Sequence, residues 1–198
     1  MSEKLRIAVA DDEPDMRDFF ECVLPQCGHQ VVAVAETGAQ LVELCRKVRP
    51  DLVITDIKMP DMDGIAASDA ICAERPVPVI LVSAYHDPQL IDRATSDHVM
   101  AYLVKPIGEA DLEPAIAVAV RRFQQFEAVR REASDLRQAL ADRKVIEQAK
   151  GILMKTTGAD EKDAFRRLQE LAAERNQKLV EASQAVIAME KAFRPAGV

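Results

Sequence analysis

Five side chains have the types and spacing to handle a phosphate: Asp11, Asp12, Asp56, Ser83 and Lys105. Each closes a short apolar run. Ile7-Ala8-Val9-Ala10 leads into Asp11, Asp12 and Glu13, and Leu52-Val53-Ile54-Thr55 leads into Asp56. Val79-Ile80-Leu81-Val82 leads into Ser83, and Ala101-Tyr102-Leu103-Val104 into Lys105-Pro106. Short apolar, β-branched runs bounded by Pro, Asp and Gly read as buried strands. Four strands therefore deliver polar groups at the same end.

In an open α/β sheet, ligands collect outside the carboxyl ends of the strands, near the point where strand order reverses. Carboxylates gathered there suit a hard divalent cation; Mg2+ needs only a few protein oxygens because it keeps several waters. Lys105 would neutralise one phosphoryl oxygen and Ser83 would hydrogen-bond another. Asp56 would be the nucleophile, forming an acyl phosphate. Taken alone, Asp56 reads more plainly as a turn residue. The convergence of the other groups reverses that preference.

The elements that must position these groups alternate. After strand one, Pro14 to Leu24 reads as a crossover helix with Met16, Phe19, Phe20, Val23 and Leu24 on one face, ended by Gly28. Val31 to Ala35 is strand two. Leu41, Leu44, Cys45 and Val48 form the inner stripe of the next helix, and Gly64 to Ala73 is a helix of small residues. Leu90, Ile91 and Ala94 are the buried side of a short helix before strand five, whose last bond, Lys105–Pro106, is a candidate cis peptide. The alternation predicts an α/β fold, a flavodoxin-like (βα)5 doubly wound parallel sheet. No Gly-x-Gly-x-x-Gly follows strand one, so nothing supports a dinucleotide or flavin site.

From Asp111 a fifth helix turns Leu112, Ile116 and Val120 inward, and neither Gly nor Pro occurs from Ala115 to Lys150. One long linking helix is expected. Along it Phe126, Val129, Ala133, Leu136 and Leu140 recur in steps of three and four, the spacing of a coiled-coil seam. The same stripe could instead pack back on the tail. Gly158 then interrupts the helix, Asp160 can cap another carrying Ala164, Phe165, Leu168, Leu171 and Ala172, and Asn176 separates a last one carrying Leu179, Ala182, Ala185, Val186 and Met189. A small three-helix bundle is predicted.

In this order, the acidic pair Asp11 and Asp12, Asp56, Met59-Pro60-x-x-Asp63-Gly64, Ser83-Ala84 and Lys105-Pro106 resemble the receiver domain of two-component response regulators. The resemblance implies that a sensor histidine kinase phosphorylates Asp56. It also implies that Asp12 and Asp56 bind Mg2+ directly, that Asp11 does so directly or through water, and that the Lys58 carbonyl adds a ligand. Tyr102 matches the aromatic switch position, which turns inward when Ser83 engages the phosphoryl group. His98 departs from the pattern where the family often has glycine. Such a protein is no enzyme in its own right, beyond slow autodephosphorylation at most.

The tail resembles the ANTAR domain, an RNA-binding transcription antitermination module, through Ile146-x-x-Ala149-Lys150-Gly151-Ile152-Leu153-Met154, then Gly158, Ala164, Leu168, Ala172, Leu179 and Ala182. Most of these positions are apolar and could record bundle packing alone. Lys150-Gly151 differs, because glycine costs about 1 kcal/mol inside a helix. It implies close approach of a helix or a ligand. Arg143, Lys144, Gln148 and Lys150 share one helix face at this spacing and are the candidate contacts to RNA hairpin loops, with Arg167 beside them. The expected organisation is a receiver over residues 1–120, a coiled-coil linker over 121–142 that makes a homodimer, and the RNA-binding domain over 143–198.

Charge fits this division. Residues 1–120 hold 21 acids against 10 bases and residues 121–198 hold 12 against 16, so −11 and +4 make up the overall −7. A basic tail on an acidic domain suggests an anionic partner. A solvated helical surface, or a bundle that binds a protein rather than RNA, would carry the same charges. No basic recognition helix of a helix-turn-helix stands out for DNA. Cys22, Cys27, Cys45 and Cys72 lack the paired spacing of a zinc site and read as reduced thiols. With no apolar run approaching a membrane span and no leader at Met1, a cytoplasmic protein is expected.

Overall fold

Strands with long apolar runs need cover on both faces, and the middle of this chain supplies two of them. In the computed structural model, which describes residues 4–84 and 98–193, β1 (Arg6–Ala10), β2 (Gln30–Ala35), β3 (Leu52–Asp56), β4 (Val79–Ser83) and β5 (Val99–Val104) form one parallel sheet in the order β2-β1-β3-β4-β5. Every residue of β3 and β4 is buried. Strand order reverses between β1 and β3, so the crevice above their carboxyl ends is the expected place for a ligand.

Alternate residues of the strands feed two separate cores. Ala8, Ala10, Val53, Val79 and Leu81 face α2 (Gly38–Val48) and α3 (Gly64–Glu74) through Leu41, Val42, Cys45, Ile71 and Cys72. On the other face, Ile7, Val9, Leu52, Ile54, Ile80 and Val82 meet Phe20 and Leu24 of α1 (Pro14–Gln26) and Leu112, Ile116 and Ala119 of α4 (Glu109–Thr157). The sheet is therefore doubly wound, as the alternating pattern predicts. The expected helix carrying Leu90, Ile91 and Ala94 lies outside the described residues.

Local signals end the elements where the sequence places them. Gly28 after α1 has φ +85°, which glycine adopts without strain. The Thr37 hydroxyl caps α2 by accepting from the Gln40 amide, and the Asp63 carboxylate caps α3 by accepting from the Ala66 amide. The Lys105–Pro106 bond is cis.

By its internal contacts the chain divides into Met1–Ala128 and Val129–Val198. Helix α4 is 49 residues long. The first of the three expected bundle helices is therefore not a separate element but the end of α4, since nothing before Gly158 (φ +69°) stops it. α5 (Glu161–Glu174), capped by Asp160, and α6 (Leu179–Phe193) complete the bundle around Ala149, Ala164, Leu168, Ala172 and Ala182. Asn176 turns the chain between them at φ +51°.

The residues of the expected seam divide into two groups. Phe126 packs on the α1 side of the receiver core, and its ring meets His98 edge-on at 6.0 Å, which gives that histidine a packing role where glycine would have none. Val129, Leu136 and Leu140 stay 66%, 58% and 67% exposed, so this stripe does not fold back on the tail.

Candidate functional site

Register alone brings the acidic residues together. Ala10 pairs with Thr55, Asp56 with Val82, and Ser83 with Val104. Asp11, Asp56, Ser83 and Lys105 consequently emerge side by side at the carboxyl ends of β1, β3, β4 and β5. Asp11, Asp56 and Ser83 are buried.

Lys105 holds the acids. Its Nζ lies 3.5 Å from Asp56 Oδ1, 3.0 Å from Asp11 Oδ2 and 2.9 Å from Glu13 Oε1. It donates to Asp11 Oδ1 at 3.3 Å, whereas the closer Oδ2 is paired by charge without hydrogen-bonding geometry and has no donor among the described residues. Asp56 Oδ2 accepts from the Lys58 amide at 3.0 Å, and Asp11 Oδ1 from the Glu13 amide at 3.0 Å.

Burial sets the electrostatics. It pushes the Asp56 carboxyl up to about 6, with the Lys105 ammonium opposing the rise and the Asp11 charge adding to it. Asp11 is raised too, again chiefly by burial. For Lys105 burial acts the other way, but Glu13, Asp11 and Asp56 outweigh it and hold its pKa above the ordinary lysine value. The site is short of positive charge. Oxygen atoms of Asp11, Asp12 and Glu13 lie within 4.8 Å of one another, and the buried Asp11 Oδ2 lacks a donor, so these residues fit a hard divalent cation.

Two supports hold this site in place: Arg17, which belongs to no motif, and Gly64, inside one. The Arg17 guanidinium donates to the carbonyls of Asp11 (2.8 Å) and Asp12 (3.0 Å) and to Glu36 (3.1 Å), clasping the acidic loop from α1. At Gly64 a Cβ would collide with the Asp56 carbonyl oxygen, so the Met59-Pro60-x-x-Asp63-Gly64 loop can seat α3 directly under Asp56 only with glycine there. Tyr102, on β5, is half-buried against the α2–α3 side of the core.

These observations agree with the comparisons. Residues 7–117 match the response regulator receiver domain, and residues 134–187 match the ANTAR domain. The chain is 38% identical over 182 residues to the transcriptional regulatory protein PdtaR of Mycobacterium tuberculosis (strain ATCC 25618 / H37Rv), spanning 92% of this chain and 89% of that relative. The chain belongs to the receiver–ANTAR response regulators. Its output domain is accordingly an RNA-binding one. The signal receiver domain of the putative response regulator NarL from Mycobacterium tuberculosis superposes on this response regulator with a TM-score of 0.57 at 30% identity, covering 61% of this chain and 98% of that one. A receiver domain from Clostridium thermocellum gives 0.55 at 28%, covering 61% and 97%. Receiver domains generally use Mg2+ with such an acidic cluster. No helix among the described residues is long and apolar enough to cross a membrane.

The candidate RNA residues separate in space. Arg143, Lys144, Gln148 and Arg167 are exposed. Lys150 is 8% exposed, its Nζ 2.9 Å from Glu147 Oε1, 2.7 Å from Glu161 Oε1 and 6.0 Å from the centre of the Phe165 ring. It fastens the end of α4 to the start of α5.

Proposed function

We propose that this response regulator takes a phosphoryl group from a sensor histidine kinase on Asp56 and acts in the cytoplasm as a transcription antiterminator by binding RNA hairpin loops. The observation that carries the reading is the pair of buried carboxylates, Asp56 and Asp11, beside the sheet's switch point, with the half-buried Lys105 ammonium against both. An oxygen of the Asp56 carboxylate attacks the phosphorus of the phosphohistidine. A P–O bond forms, the P–N bond breaks with its electron pair going to the imidazole, and the product is an acyl phosphate that is lost slowly. The raised pKa of Asp56 makes its carboxylate more basic than an exposed one, which favours attack once it is ionised.

Asp11, Asp12, Asp56 and the Lys58 carbonyl would hold Mg2+, with Glu13 beside them. When bound, the ion supplies the positive charge that the transferring phosphoryl oxygens need. Lys105, already at 3.5 Å, moves its charge from the acids to the phosphoryl group, and Ser83 donates to another oxygen. Tyr102 then turns inward behind Ser83.

The receiver takes residues 1–120 in this reading and the linker 121–142. Exposed Val129, Leu136 and Leu140 pair with a second copy as a coiled coil, offering two output domains to paired hairpins. Arg143, Lys144, Gln148 and Arg167 contact RNA, and Lys150 acts through the ion pairs that set this surface. A second reading has one observation behind it: a groove of about 520 Å3 lined by Ile152, Leu153, Leu171, Val186 and Met189 would suit an apolar protein segment. Filter binding of structured RNA at two salt concentrations, with and without acetyl phosphate, tests the output. RNA binding with a salt slope supports the first reading, and its absence in both states supports the second.

A further inference from the structure

Helix α4 carries a glycine that the protein's own packing does not require. Gly151 sits inside the helix, where glycine is disfavoured. Two reasons usually explain such a residue: a positive φ, or a neighbour too close for a side chain. Its φ is outside the left-handed region, and a Cβ built on it meets no atom within 4 Å. Neither reason holds among the described residues.

Two lysines, unpaired among the described residues, flank the bare patch. At 3.6 residues per turn, Lys144, Gln148 and Lys155 fall within about 60° of Gly151 around the helix, while Ala149 and Leu153 fall near the opposite side. Ala149 is fully buried, so the glycine faces away from the bundle core. Lys144, Gln148 and Lys155 are exposed and make no side-chain hydrogen bond or ion pair among the described residues. Glu147 also lies on this face, about 40° from Gly151 and one turn before it, with its carboxylate paired to Lys150. A side-chain-free patch thus lies between a lysine two turns before it and another one turn after it.

We propose that Gly151 is where the sugar-phosphate backbone of bound RNA lies directly on the helix, with Lys144 and Lys155 pairing phosphates on either side. Gln148, which both donates and accepts, reaches a 2′-hydroxyl or a base edge. The proposal rests on the reading of the output as RNA-binding and adds Gly151 and Lys155 to it. The charges select the occupant: a second copy on this face would set lysines against lysines, whereas a polyanion is attracted. A missing Cβ brings the chain that much nearer the helix backbone, and a methyl group there pushes it away.

This predicts that stability and binding move in opposite directions on one substitution. The test uses the full chain with Mg2+ and acetyl phosphate, and a labelled pool of RNA stem-loops with randomised loops as probe. Filter binding, thermal unfolding and sedimentation are read for wild type, Gly151→Ala, Lys144→Ala and Lys155→Ala. Gly151→Ala is expected to melt at or above the wild-type temperature, to sediment as wild type, and to bind the pool on the order of tenfold more weakly. Each lysine variant is expected to flatten the salt slope by about 0.7. If Gly151→Ala binds like wild type while the wild type binds well, the inference is wrong and the RNA reading stands. A change in sedimentation without a change in RNA affinity assigns the face to a second copy and also overturns it. If the wild type retains no RNA from the pool, the RNA reading fails and takes the inference with it.

Discussion

The ammonium of Lys105, carried on the end of β5, reaches past β4 to lie 3.5 Å from the Asp56 carboxylate on the end of β3. That reach makes one lysine the counter-charge for Asp11, Glu13 and Asp56 together. Removing one partner of a buried charge set leaves the others uncompensated. Lys105→Met should therefore lower the stability of the metal-free protein at neutral pH by roughly 2–4 kcal/mol. Added Mg2+ should restore much of the loss by binding the folded acids. Urea unfolding with and without Mg2+ checks this; an equal loss in both conditions would speak against a shared counter-charge.

The raised pKa of Asp56 has a definite sign for stability. Between the unfolded value, 3.8, and the folded one, about 6, the unfolded chain has released a proton that the folded chain still holds. Stability from this group is intact below that window, falls as pH rises through it, and stays reduced above it. In the metal-free protein Asp56→Asn should thus be more stable than wild type at pH 7.5, by on the order of 1–3 kcal/mol, and nearly equal to it at pH 4. Denaturant midpoints of both proteins at the two pH values decide it, and a gap that does not change with pH would contradict the burial effect.

Much of this site is legible in the chain, for identifiable reasons. The runs before Asp11, Asp56, Ser83 and Lys105 are short, β-branched and closed by turn residues, so the strand ends follow from local chemistry. Arg17 is not legible, because one arginine on an amphipathic helix has no periodic signal, and its partners Asp11 and Glu36 come from two different strand ends. Lys150 shares the spacing of Arg143, Lys144 and Gln148, yet its direction depends on Glu161, which only the turn at Gly158 brings back to it. Phe126 fits the seam spacing equally well, and spacing cannot distinguish a seam from the receiver core where its ring meets His98.

The inward lysine separates structure from recognition. Lys150→Ala leaves Glu147 and Glu161 without their cation, but both carboxylates are largely exposed and screened by solvent, so the cost should be small. Thermal unfolding should show Lys150→Ala melting a few degrees lower and Lys144→Ala melting like wild type. The opposite ranking would mean that the ion pairs do not hold α4 to α5.

The proposed coiled coil would draw on leucines that stay more than half exposed in the single chain. Leu136→Glu with Leu140→Glu should reduce the concentration-dependent mass in sedimentation without altering the far-ultraviolet signal, because both leucines are exposed. An unchanged mass would remove the coiled-coil role.

Phosphorylation at Asp56 is the central claim, and intact-protein mass spectrometry after incubation with acetyl phosphate and Mg2+ tests it most directly. The wild type should gain one phosphoryl group, labile to hydroxylamine as an acyl phosphate is, while Asp56→Asn should gain none and remain folded. Phosphoryl gain by Asp56→Asn at the wild-type stoichiometry would contradict the account.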